Sequence, residues 1–155
     1  MKNKMKVNHE WSVLCSQALL DKETNNLTLV NVIEQVAFDV QVPKGQILPE
    51  GAQIFPMNSV LISRIRKTTN DNETVSGKWG VKVLGPEKEI FGFFEKEFEM
   101  GSGIKNFRMK ANIEGMKVTS SGVYCFEVSL KEGESDYEVV YSVPLEIKLD
   151  VKNID

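Results

Sequence analysis

The sequence predicts an all-β domain built as two antiparallel sheets packed face to face, a sandwich of about eight strands. Three observations carry this reading. Tyr124, Phe126, Val128 and Leu130, then Val139, Tyr141, Val143, Leu145, Ile147, Leu149 and Val151 beyond a polar turn, stand at every second position. That is the period of an extended chain with one buried face. Turn-forming residues separate short apolar runs at fairly regular intervals, as they do where strands reverse, and no segment holds a long apolar period of helical spacing. A jelly roll or an open barrel is the alternative closure of the same strands.

Composition sets the bounds. At 155 residues, 41% hydrophobic and 26% charged, the chain has the make-up of one globular domain able to bury a core without staples. Residues 1–10 are expected as a flexible N-terminal segment and 11–155 as a single sandwich domain. A formal net charge of −3 argues against a general nucleic-acid binder, which needs a concentrated basic face. The basic start, Met1 to Lys6, runs into Val7, Asn8, His9 and Glu10 instead of an apolar stretch, so it does not read as a signal peptide. No apolar run is long enough to cross a membrane as a helix. A cytoplasmic location follows as the default, with Cys15 and Cys125 expected as reduced thiols packed within apolar strand patterns.

Taken in order, Trp11 to Leu20 reads as the first strand, turned back by Asp21 to Asn26, whose short polar side chains tolerate tight turns. Leu27 to Ile33 alternates and is rich in β-branched residues, so the pair forms a hairpin. Beyond it, Ile33, Val36, Ala37 and Val40 also fit a helical turn, and both readings stand. Pro43, Gly45, Pro49, Gly51 and Pro56 interrupt Gln41 to Asn58 and predict a long loop or crossover. Val60 to Arg66 is a strand ended by Thr68 to Glu73; Trp79, Val81 and Val83 mark the next, ended by Gly85 and Pro86. From Glu89 to Met100 the apolar spacing is mixed, and Gly92 favours a bulged strand. Phe107, Met109, Ala111 and Ile113 alternate as the strand before the closing pair.

The catalytic vocabulary is thin. His9 is the only histidine, which excludes a multi-histidine metal centre and disfavours a histidine-assisted serine or cysteine nucleophile. No metal, phosphate-loop or nucleophile-elbow motif occurs, Gly101-Ser102-Gly103 reads as a turn, and no cofactor is expected. Trp11 and Trp79 read as core residues. Arg64, Arg66 and Lys67 read as the solvated face of an edge strand, charged against edge-to-edge pairing.

Two stretches resemble an uncharacterised family of small bacterial β-sandwich proteins. The first joins Leu14, Cys15 and Ala18 to Asp21, Thr24 to Leu29 and Asn31 to Glu34; the second joins Gly122, Tyr124, Phe126 and Val128 to Val143 through Ile147. The resemblance spans most of the chain and implies no activity, cofactor or catalytic residue. Tyr124, just after a glycine turn, also resembles the corner tyrosine of immunoglobulin-like sandwiches. The position two residues on is Phe126, where an antibody-type domain has cysteine.

With strands running alternately up and down, the connections Asp21–Asn26, Thr68–Thr74, Met100–Gly103 and Lys131–Tyr137 share one end. There Asp21, Glu23, Asp71, Glu73, Glu132, Glu134 and Asp136 face only Lys22 and Lys131. These acids are candidates for a calcium site, since hard cations take oxygen ligands, or for a surface that steers a basic partner. The function expected is that of a non-enzymatic binding module whose partner is a protein. The alternatives are a calcium- or membrane-surface-binding module similar to C2 domains, and a hydrolase using carboxylates alone.

Overall fold

The computed structural model describes residues 4–155; residues 1–3 of the expected flexible segment lie outside the described residues. Among these, nine strands and no helix form: β1 (Val7–Leu20), β2 (Leu27–Val32), β3 (Gln35–Pro43), β4 (Gln53–Lys67), β5 (Val75–Leu84), β6 (Ile90–Met100), β7 (Asn106–Val118), β8 (Gly122–Glu132) and β9 (Glu138–Ile154). They make two sheets, ordered β2-β1-β4-β7 and β3-β9-β8-β5-β6. The fold is a two-sheet, all-β sandwich, as the alternation requires.

The strand bounds differ from expectation in instructive ways. β1 begins at Val7, which pairs with Lys67 and is fully buried, so residues 7–10 belong to the sheet and not to a flexible segment. Residues 35–40, which fit both a continuing strand and a helical turn, and 41–43, expected in the long loop, together form β3. Its signal is the alternation of Val36, Phe38, Val40 and Val42, masked by the helical spacing of Ile33, Val36, Ala37 and Val40. β3 pairs with β9 in parallel, Gln35 with Glu146 through Pro43 with Ile154, a pairing open to strands distant in sequence. β4 starts at Gln53, which shortens the expected loop to residues 44–52; Pro56 is accommodated at a register shift between Pro56 and Ser59. Because β4 lies between β1 and β7, Arg64, Arg66 and Lys67 stand on an internal strand, correcting the edge-strand reading.

The core forms where the two sheets face each other. Leu14, Leu61 and Ile65 of the first meet Trp79, Tyr124, Phe126, Val128 and Leu145 of the second, each at most 1% exposed. Trp11 instead lies half-buried on the other face of β1. In β9 the register shifts opposite Val128 and Ser129, leaving Val140 as the extra residue. Val143, Leu145 and Ile147 beyond the shift are buried, whereas Val139 before it is 55% exposed, because a bulge changes the face a strand presents; Tyr141, in register with Val128 beyond the shift, is 46% exposed. Tyr124 Oη donates to the Ser120 carbonyl at 2.8 Å and accepts from the Thr119 amide at 3.0 Å, the backbone tie of a corner tyrosine.

The β1–β2 hairpin leaves the plane of its sheet. Two strands separate β2 from β7, yet Arg108 of β7 donates from Nη2 to the Asn25 carbonyl at 3.0 Å. The hairpin tip therefore crosses the outer face of β4. Cys15 and Ile62 are buried outside the inter-sheet core. Cys15 and Cys125 are not bonded to each other.

Candidate functional site

The acidic turns come together only in part, and lysines meet them. Asp71 Oδ2 pairs with Lys105 at 3.2 Å, and Glu73 is held by the Lys6 ammonium, whose hydrogen bond and charge lower the carboxyl pKa from its ordinary 4.5. Glu132 Oε1 accepts the backbone amides of Lys6 at 2.6 Å and Val7 at 3.0 Å, capping the start of β1. Lys67, only 6% exposed, donates from Nζ to the carbonyls of Glu73 at 2.7 Å, Gly101 at 2.9 Å and Asp71 at 3.3 Å. Two of these acids thus pair with lysine ammonium groups and the third takes backbone amides, and the three turn carbonyls hold the ammonium of Lys67. Those lysines lie in strand ends and flanks outside the turns themselves, so a count of turn residues misses them.

The remaining candidate acids stand apart. Asp21 turns inward on its own hairpin, where Oδ1 accepts the amides of Glu23 at 2.8 Å and Thr24 at 3.0 Å and its pKa falls below 3.8 through those bonds. It and Glu23 ride on the hairpin tip, which lies over the outer face of β4 against Arg108. Glu134 acts on Lys78, and Asp136 makes no hydrogen bond or ion pair among the described residues. No three histidine, cysteine, aspartate or glutamate side chains among the described residues are placed to hold a metal ion.

His9 belongs to an internal chain of hydrogen bonds. The Trp79 indole N–H donates to Ser63 Oγ at 3.0 Å, Ser63 and Ser12 hydroxyls stand 2.6 Å apart, and Ser12 Oγ lies 2.7 Å from His9 Nε2. The indole can only donate, so each hydroxyl is satisfied when Ser63 donates to Ser12 and Ser12 to Nε2. The imidazole is then neutral, and burial lowers its pKa from 6.5. Ser12 and Ser63 are buried, so the hydroxyls serve packing and not attack on a substrate. His9 also stacks on Tyr141 with ring centroids 5.1 Å apart.

The feature that composition could not reveal is an apolar groove at the open seam of the sandwich, between β6 and β7, each the last strand of its sheet. It encloses about 310 Å³, with Ile54, Val83, Phe91, Phe94, Ile113 and Met116 among its walls. The expected bulge makes it: Val83 faces Gly92 while Leu84 faces Ile90, so Phe91 is the extra residue and joins Phe94 beside the groove. Gly92 leaves the space open, for a Cβ there would meet nothing within 4 Å. Ile54 in the wall is 71% exposed and Ile90, at the start of β6, is 63% exposed. The mixed spacing of Ile90, Phe91, Phe93 and Phe94 was the sequence signal. A larger hollow of about 430 Å³, lined by Ser76, Lys78, Glu97, Phe98 and Glu99, is mixed in character and open. No helix among the described residues is long and apolar enough to cross a membrane. Comparison with protein-family models finds no match, and comparison with curated proteins finds none either.

Proposed function

We propose that this chain acts by binding and not by catalysis, as a cytoplasmic module whose partner is a protein that seats apolar side chains in the β6–β7 groove. The groove carries the reading: an apolar cleft between two strand edges, open to water at Ile54, suits an extended or apolar segment of another chain. Its walls bring few polar groups to a focus, where a catalytic pocket would converge them. Two unlinked thiols agree with a reducing compartment.

Gly92→Leu tests it directly, since a Cβ at Gly92 meets nothing within 4 Å and a leucine would project into the groove. The expected outcome is equal or higher melting temperature with capture of specific partners from the native host lost; Ile54→Lys should lose the same partners. Capture of an unchanged set by both folded variants would dismiss the groove as the binding surface.

A further inference from the structure

We infer that the cleft under the β1–β2 hairpin tip binds a small oxyanion, a phosphate or carboxylate borne on a small molecule, between the guanidinium groups of Arg64 and Arg108. The two arginines are direct cross-strand partners in β4 and β7. Like charges in that position oppose each other and destabilise a sheet. Compensation is incomplete: Arg64 Nε lies 2.9 Å from Glu10 Oε2, and Arg66 shares the same carboxylate at 4.0 Å. Among the described residues Arg108 has only the two oxygens of Asn25, at 3.0 and 3.4 Å. Two of the three guanidinium groups therefore share one carboxylate and Arg108 has none among the described residues, in a protein whose net charge is −3.

The cleft itself is closed on one side by the hairpin. Its lining is Leu20, Asn25, Arg64, Asn106, Phe107 and Arg108, around about 270 Å³. No carboxylate lines it, and two guanidinium forks do, the geometry that takes carboxylate or phosphate oxygens in paired hydrogen bonds. Its volume lies just below the usual range for drug-sized ligand sites, which fits an inorganic phosphate or a short organic acid. This site is separate from the groove and stands or falls without it.

The test is melting and isothermal titration calorimetry with inorganic phosphate and with succinate, each against chloride at matched ionic strength. Saturable stabilisation by phosphate alone assigns a phosphate-bearing ligand, and by succinate alone an organic acid; either supports the site. Arg64→Gln and Arg108→Gln should each weaken the response at least tenfold. Asn25→Asp is the second variant: it places a carboxylate against Arg108 while keeping a residue type that tolerates the positive φ of 57° at this position. It should raise the melting temperature without added anion and abolish the anion response. No difference between either anion and chloride, or a full response in Asn25→Asp, would overturn the proposal.

Discussion

The ammonium of Lys67 stands 2.9 Å from the carbonyl oxygen of Gly101, bridging the end of β4 in one sheet to the residue that follows β6 in the other. It takes the carbonyls of Asp71 and Glu73 in the same grip. One buried cation therefore ties the β4–β5 turn to the end of β6, and the neighbouring Asp71 and Glu73 carboxylates are already matched.

Lys67→Met keeps the aliphatic stem and removes the donor. With three carbonyls left without that partner, the loss should be about 2–4 kcal/mol, read from chemical denaturation. Millimolar calcium should leave wild-type melting unchanged, because the oxygen cage is occupied. A loss under about 0.5 kcal/mol, the scale of an exposed polar substitution, would mean that the loop end is held by other contacts.

Stability should fall with acid in a window set by His9. Its folded pKa lies below the ordinary 6.5 because burial disfavours the charged ring. Between the folded value and 6.5 the unfolded chain binds more protons, so stability is full above pH 6.5 and declines as pH falls through the folded value. The lowered carboxylates Glu73 and Asp21 enter only below their ordinary 4.5 and 3.8. His9→Gln should flatten the slope between pH 6.5 and the carboxylate range in urea melts. An unchanged slope would place the proton uptake elsewhere.

Phe126→Ala should cost about 3–5 kcal/mol, the usual result of emptying a packed aromatic site, since Phe126 is wholly buried. Tyr141→Ala should cost clearly less, because Tyr141 is 46% exposed and only stacks on His9. Equal losses would contradict that exposure.

The thiols should react in order. Cys15 is buried, with its pKa raised by desolvation, and Cys125 is half-buried; the thiolate is the reactive form. Native alkylation followed by mass spectrometry should label Cys125 first, and both together once the chain is unfolded. Equal native rates would show that the β1–β2 hairpin opens readily.

Tyr124, Phe126, Val128 and Leu130 were legible in the sequence because strand side chains alternate by geometry, and burial of one face leaves a periodic trace. The bulge beside Gly92 was legible for the same reason, as a break in that period. The groove it opens was not, because a groove needs both walls, and Ile54 and Ile113 come from the opposite sheet. Of the acidic candidates, Asp71, Glu73 and Glu132 are each met by the chain's own donors at the Lys6 and Lys105 flanks, while Asp21 and Glu23 ride on the hairpin tip, a placement that turn composition does not encode.

By itself, then, the sequence determined the all-β class, most strand positions and the inward faces, all of which follow from local steric and hydrophobic periodicity. Tertiary structure alone decided the parallel pairing of β3 with β9, the folding of the hairpin toward Arg108, and the capture of turn carbonyls by Lys67. Each of these joins residues distant in the chain, and the free energy of such contacts depends on which surfaces meet once the sheets have packed, a quantity that no short stretch of sequence carries.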